Sequence, residues 1–429
     1  MNSALIFSFS DVGRNERILR YTKKLIVDKK FKVYLVGFDI SDLPSELEKL
    51  PNLVIRYIFP FFSLPIILNT IFWPFQFLFY LIQIIGIAVN TPSVKLIISS
   101  TDYYFTETLC GLILSKIKEA ALIFDVSNFD WFESFFSCVI SKKMLSYADY
   151  IICSTHSMEV ILKLGGIKSY VIPNIPDRSF SQSTSKSNQT LEFTAHQIEF
   201  PEIQQTQENN NNHTKNVNQV LLNNTFNSYY EIKSKVCEMM NIDIHSKLIG
   251  VPIPQFSHEL MNNLIDSANY LKSYLIKNKI SINFVLFGSG KSSQMFREKL
   301  KDLEIENAKF HFVPFQYDAY PMILRACDVC LCLSNSHSIM EVDPHVMNAA
   351  ACGVPIIALK YGCSNEILEE NVNGIYIQDI KDLSPIMKKI FIDNSIDLSK
   401  MRMNNESFSK KADLMFEETF SRILGMYSS

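Results

Sequence analysis

Glycine is scarce here, 13 in 429, or about 3% where roughly 7% is ordinary. Collagen-like and glycine-rich low-complexity classes are thereby excluded. A glycine kept in so poor a background points to tight packing or positive φ. Charge of one sign is also missing: 41 Lys+Arg against 44 Asp+Glu leave a net charge of −3. Such a balance offers no field for a nucleic-acid backbone, so no nucleic-acid partner is expected. The nine cysteines show no CxxC spacing, which argues for buried free thiols in a reducing compartment and against a structural zinc site. No long apolar run opens the chain, because Asp11, Arg14, Glu16 and Arg17 interrupt the first one. A secretory signal is therefore not expected, and the bulk of the chain should stay cytosolic.

The longest absence is of charge between Arg56 and Lys95. Within it, residues 58–89 read IFPFFSLPIILNTIFWPFQFLFYLIQIIGIAV, long enough to cross a bilayer. Pro60, Pro65 and Pro74 argue against one straight helix, and basic flanks on both sides leave orientation undetermined. Three readings stay open: a hydrophobic hairpin or interfacial helix dipping into a membrane, a true span, and a core or lipid-substrate groove.

Elsewhere apolar runs alternate with helical patterns. Strands are expected at 4–9, 31–38, 94–100, 121–127, 148–155 and 169–174, then at 282–290, 309–315, 328–334 and 355–360, with helices between. The fold class is α/β, two Rossmann-like lobes of parallel sheet facing a cleft. The expected domains are an N-terminal lobe over 1–178 and a Ser/Gln/Asn-rich, mostly disordered insertion over 179–240 with one short strand near 191–200. A second lobe over 241–395 and a C-terminal helical region over 396–429, packing back on the first lobe, complete the chain.

Ligands of such sheets bind beyond the carboxyl ends of strands. Gly13 and Arg14 follow the first strand, where amides and a guanidinium could meet an anion or simply start a surface helix. Gly288, Ser289, Gly290 and Lys291 form a GxGK turn after what reads as the first strand of the second lobe. It is too short for a nucleoside triphosphatase loop and could be turn geometry alone. The block SIMEVDPHVMNAAACGVP places Glu341, Asp343, His345 and Asn348 at a helix start, for ligand contact or for mere capping. Asp343 and His345 could hold a metal, but two ligands do not make a site. Glu366, and the Asn373–Gly374 turn after it, pose the same choice. Asp125, Ser127, Asn128, Asp130 and Trp131 lie at or past a strand end, where a carboxylate could serve as general base. His156 is a further cleft candidate.

The stretches DVGRNERILR, FDVSNFDWFE, ADYIICSTHSM and LFGSGK, with the block from Cys330 to Ile375, together resemble the chitobiosyldiphosphodolichol β-mannosyltransferases, which are GT-B enzymes of glycosyltransferase family 33. The likeness covers most of the chain outside the insertion. It implies inverting transfer of mannose from GDP-mannose to chitobiosyl diphosphate dolichol on the cytosolic face of the endoplasmic reticulum membrane, beside other early lipid-linked oligosaccharide glycosyltransferases. No tightly bound cofactor is implied, and no divalent ion is indicated. By the resemblance Gly13 and Arg14 border a diphosphate, Gly288 and Gly290 with Lys291 form the glycine turn, and Glu341 takes the acidic position before the helix. Glu366 takes the position that holds the nucleotide ribose in related folds. The expected base is Asp125, with Gly288 to Gly290, Lys291 and His345 stabilising the departing nucleotide. This chain departs from the family at His345, where it has Lys, at Asn348, where it has Asp, and at Ser127, where it has His. Those departures admit a GT-B enzyme with a different nucleotide sugar or acceptor, or an inactive scaffold of a glycosyltransferase complex.

Overall fold

The computed structural model describes residues 2–13, 15–40, 43–61, 66–100, 104–126, 142–174, 176, 191–193, 220–222, 229–253, 258–288, 290–300, 304–313, 319–333 and 341–428. The first lobe is a parallel sheet of β1 (Ser3–Asp11), β2 (Lys32–Phe38), β3 (Leu53–Tyr57), β4 (Val94–Ser100), β5 (Ala121–Val126), β6 (Tyr150–Cys153) and β7 (Tyr170–Val171). Their order in space is β3-β2-β1-β4-β5-β6-β7. Helices α1 (Glu16–Val27), α2 (Ser45–Glu48), α3 (Ile66–Val89), α4 (Tyr104–Lys118) and α5 (His156–Leu164) connect them. Strands covered on both faces need apolar residues on both, which is why β1 and β4 are near-continuous apolar runs.

A short antiparallel pair, β8 (Leu191–Phe193) and β9 (Val220–Leu222), follows. The rest of the Ser/Gln/Asn-rich stretch lies outside the described residues up to Tyr229. The second lobe comprises α6 (Tyr229–Met239), β10 (Lys247–Pro252), α7 (His258–Asn278), β11 (Ile282–Phe287), α8 (Gly290–Leu300), β12 (Ala308–Val313), α9 (Tyr320–Ala326), β13 (Val329–Cys332), α10 (Pro344–Ala351), β14 (Ile356–Leu359), β15 (Gly374–Ile377) and α11 (Leu383–Phe391). Its sheet runs β12-β11-β10-β13-β14-β15, again all parallel. In both lobes the strand order reverses beside the first strand, between β1 and β4 and between β10 and β13. Those two crevices are where a doubly wound sheet presents a ligand site.

The last helix, α12 (Leu398–Ser428), joins the lobes. Asn405 donates to Val354 O at 2.9 Å and to Asn373 O at 2.8 Å in the second lobe. Further along, Phe416, Phe420, Ile423 and Leu424 enter the core beneath α1 of the first lobe. Tyr21 stacks on Phe420 at 4.8 Å, and Arg20 lies 3.8 Å over Phe416 while pairing with Asp413 at 2.7 Å.

Several expectations are corrected. The second lobe opens with β10, so the glycine turn follows its second strand, not its first. Residues 229–239, expected within the insertion, form α6 and bury Ile232, Val236 and Cys237 in the second core, moving that boundary forward. Where prolines predicted a break, α3 is one helix of 24 residues containing Pro74. A single Pro deletes one backbone bond, and helices that keep the rest can tolerate it. Tyr80, Ile84 and Ala88, four apart, face the core, with Tyr80 stacked on Phe9 at 4.4 Å. The unheralded Gly37 is also structural: a Cβ there would fall against Val12 and lie 2.9 Å from Ser8 O, where β1 slips register against β2.

Candidate active site in the cleft between the lobes

At the first crevice, β1 loses its regular ladder between Phe7 and Asp11, freeing backbone groups that need partners. The carboxylate of Glu107 on α4, fully buried, accepts from Phe9 N–H and lies 3.5 Å from Ser8 Oγ. Ser8 Oγ meets Ser10 Oγ at 2.7 Å, and Asn15 Nδ2 donates to Ser10 Oγ at 3.3 Å. Asp11 accepts from Gly13 N–H at 3.1 Å, turning the chain into α1, where Asn15 caps Ile18 N–H at 3.2 Å. One residue before Glu107, Thr106 accepts from Trp73 Nε1 at 3.1 Å, tying α3 to this crevice.

Asp125, the expected base, does something else. Arg17 Nε approaches its two oxygens at 2.8 and 2.6 Å, Arg17 NH2 sits 2.6 Å from Oδ1, and the carboxylate is 1% exposed. Arg17 also donates to Ile172 O at 2.5 Å. Burial alone would lower the Arg17 guanidinium, yet Asp125 holds it above its ordinary value. The base assignment is therefore corrected: a buried carboxylate held by a guanidinium fork cannot reach an acceptor hydroxyl. Beside it, burial pushes the Cys153 thiol up to about 12, so it stays protonated.

In the second lobe, α10 starts at the mouth of the other crevice. Asp343 caps it, accepting from His345 N–H at 2.8 Å, and Pro344 takes the first turn. His345 Nδ1 is turned inward, with no hydrogen-bond partner among the described residues. Glu341 lies half-buried just before the cap. Asn348 is buried, and the surrounding acceptors orient its amide: nitrogen toward Glu16 Oε2 at 3.3 Å and Pro344 O at 3.2 Å. The start of α1 thus meets the start of α10 across the cleft. Gly288 is buried after β11, its N–H bonded to Val313 O at 3.1 Å, and Gly290 begins α8.

A second meeting of the lobes involves Glu366, at the end of the 3-10 turn Gly362–Glu366. Its Oε2 accepts from His156 N–H at 2.7 Å, and its Oε1 from Ser157 N–H at 2.9 Å and Ser157 Oγ at 2.6 Å. His156 enters the cleft by its backbone, since its ring is exposed and pairs with Glu159. A groove of about 970 Å³ opens beside Glu366, lined also by Lys360, Asn365, Glu369 and Asn373.

Of the predicted residues, the structure brings Asn348, His345 and Glu341 to one helix start and sets Asn348 against Glu16 of the first lobe. Glu366 joins α5 instead of standing open. Arg14, Ser127, Asn128, Asp130 and Trp131 lie outside the described residues, as does the Lys291 side chain. Glu16, Glu107 and Ser157 were not anticipated. Only Glu107 carried a signal, being the sole charge between Asp102 and Lys116. Among the described residues no three His, Cys, Asp or Glu side chains gather as metal ligands.

Residues 257–408 match the family described as glycosyl transferases group 1. The chitobiosyldiphosphodolichol beta-mannosyltransferase of Dictyostelium discoideum is 25% identical over 130 residues, covering 30% of this chain and 26% of that protein. The UDP-glycosyltransferase TURAN of Arabidopsis thaliana is 26% identical over 108 residues, covering 25% and 23%. The match thus spans about a quarter of the length of these two relatives. A longer match, 22% identical over 407 residues and covering 88% of this chain and 81% of its relative, is to the chitobiosyldiphosphodolichol beta-mannosyltransferase of Candida glabrata. Among solved structures, Anabaena Alr3699/HepE in complex with UDP and glucose superposes with a TM-score of 0.64 at 15% identity, covering 99% of this chain and 100% of that one. The chain thus has a GT-B-like fold, two parallel lobes facing a cleft, and carries a glycosyltransferase domain over residues 257–408.

Proposed function

We propose that this glycosyltransferase moves a hexose from a nucleotide sugar to a lipid-linked acceptor at a membrane surface. The observation that carries the reading is the placement of α3. Phe72, Phe75, Leu78, Phe79, Ile82 and Val89 are exposed on it, in a stretch without one formal charge. A connecting helix in a parallel α/β lobe begins at the carboxyl edge of the sheet, so this apolar surface starts beside the first crevice, where Trp73 meets Thr106. Tyr80, Ile84 and Ala88 are committed to the core, and a span would strip those contacts. The helix therefore suits an in-plane dock better than a crossing.

The narrower form of the proposal is mannose transfer from GDP-mannose to chitobiosyl diphosphate dolichol on the cytosolic face of the endoplasmic reticulum, supported by the relatives of that name. A second reading, another nucleotide sugar, is favoured by His345 and Asn348. An imidazole carries less positive charge to a diphosphate than a Lys ammonium does, and Asn348 is engaged with Glu16. TURAN, a relative named for UDP, points the same way. Under either reading the second lobe takes the nucleotide, with the His345 side chain and the helix start at Gly290 toward the leaving diphosphate. Asp11, half-buried at the end of the central strand, replaces Asp125 as the assigned base for the acceptor hydroxyl.

Full-length protein, vesicles carrying chitobiosyl diphosphate lipid and labelled GDP-mannose or UDP-glucose test this. Labelled mannose on the lipid supports the narrower form, and transfer from UDP-glucose alone supports the second reading. Nucleotide binding with no turnover of either sugar overturns both and leaves a scaffold.

A further inference from the structure

Helix α3 carries two stripes. Phe72, Phe75 and Phe79 stand on the exposed one, while Trp73, Phe77 and Tyr80 turn toward the lobe, half-buried at first and buried by Tyr80. An indole at a membrane interface ordinarily keeps its N–H for headgroups or water. That of Trp73 points the other way, donating to Thr106 Oγ1 at 3.1 Å in the buried first turn of α4. The indole also stacks on Phe77 at 5.9 Å, which fixes its plane.

Glu107, the next residue after Thr106, is wholly buried and accepts from Phe9 N–H on β1. Tyr80, farther along the inner stripe of α3, stacks on the Phe9 ring at 4.4 Å. One strand residue is thus gripped twice from α3, on its amide through Trp73, Thr106 and Glu107 and on its ring through Tyr80. Phe9 lies two residues before Asp11, the assigned base.

We infer that Trp73 is a positioning residue: through Thr106 it fixes the height and tilt of the β1 crevice over the lipid surface on which the exposed stripe of α3 docks. The inference rests on the lipid-linked acceptor reading above and deepens it. A lipid tail pins its sugar close to the bilayer, so that sugar reaches the base only if the crevice is held at the right height. A misplacement of about 1 Å can cost ~100-fold in rate. An acceptor free in water brings its own approach and does not depend on that height.

The test compares one acceptor head on two carriers, using the full chain and whichever of GDP-mannose and UDP-glucose the wild type turns over. One carrier is dolichol in phosphatidylcholine vesicles, and the other is a short chain that stays in water, both bearing chitobiosyl diphosphate. Trp73→Phe, which keeps a ring and loses the donor, and Thr106→Val, which loses the acceptor, should each lower kcat/KM for the vesicle acceptor by about tenfold. Both should stay within about twofold of wild type on the water-soluble acceptor and should still float with the vesicles. Thr106→Ser, which keeps the hydroxyl, should hold the wild-type ratio between the two carriers. An unchanged ratio in Trp73→Phe and Thr106→Val, or an equal loss on both carriers, overturns the inference while sparing the lipid-linked reading. Lost flotation in either variant makes Trp73 an anchor and overturns it too. A wild type that transfers to neither carrier, or does not float, overturns the lipid-linked reading and the inference with it.

Discussion

The two sheets share a strand order around their first strands yet finish their crevices in opposite ways. Beyond β1, polar groups are sealed: Glu107 is spent on the backbone of β1, and Asp125 is spent on Arg17. Beyond β10 and β13, groups reach across the cleft, as Asn348 toward Glu16 and the bridge of Glu366 show. One topology thus supplies two surfaces. The first crevice is stiffened from within and set beside an apolar helix, as the proposed lipid-linked acceptor would need, while the second carries the polar groups that the proposal turns toward the donor.

Breaking the sealed side should cost most. Arg17→Ala strands a buried carboxylate and should destabilise the first lobe by about 3–5 kcal/mol in urea denaturation. A loss under about 1 kcal/mol would show that the crevice is not held by this pair. Asp11→Asn should slow transfer by about 100-fold or more with the midpoint of unfolding unchanged. Full activity in that variant would remove the base from β1.

On the second side, His311 provides a pH handle. Burial and, less strongly, Lys309 lower its pKa to about 4, with Nε2 and Asn283 Oδ1 at 2.8 Å. The unfolded chain therefore takes up this proton first, near pH 6.5. Stability from this group is whole above that pH and falls as pH drops toward 4, by up to about 3 kcal/mol. His311→Gln should flatten that part of the pH profile of unfolding, and an unaltered profile would contradict the assignment. The smallest effect on stability belongs to α3. Phe75→Ser with Leu78→Ser and Ile82→Ser changes exposed positions and should move stability by no more than about 0.5 kcal/mol each. The same variant should lose flotation with phosphatidylcholine vesicles, and retained flotation would take the membrane surface away from α3.

Much of this comparison could be read from apolar runs. Strands β1, β2, β4, β5, β11 and β13 are dense enough in Val, Ile, Leu and Phe to stand out, and the helix start at Asp343–Pro344 announces itself by its cap. The central strand β10 did not, because KLIGVP is short and carries Gly250 and a terminal Pro252. Gly250 is there for packing, since a Cβ would press on Cys327 and Phe287 at 3.2 Å. Periodicity could not orient α3, which is apolar on every side, so only packing chose Tyr80, Ile84 and Ala88 as the inner face. The site was legible as a set of loops but not as a set of partners. Arg17 finds Asp125 108 residues away, and Ser157 finds Glu366 209 residues away. Such pairings depend on how the sheets close and how α12 crosses between them, which no local pattern encodes.

Whether the second lobe takes the nucleotide and the first does not is the point on which the account stands. Irradiation of the full chain with azido-GDP or azido-UDP, followed by mapping of the labelled peptides, measures it directly. The account predicts label in residues 282–300 or 341–373 that unlabelled nucleotide displaces. Displaceable label confined to residues 3–20 or 94–118 would contradict it.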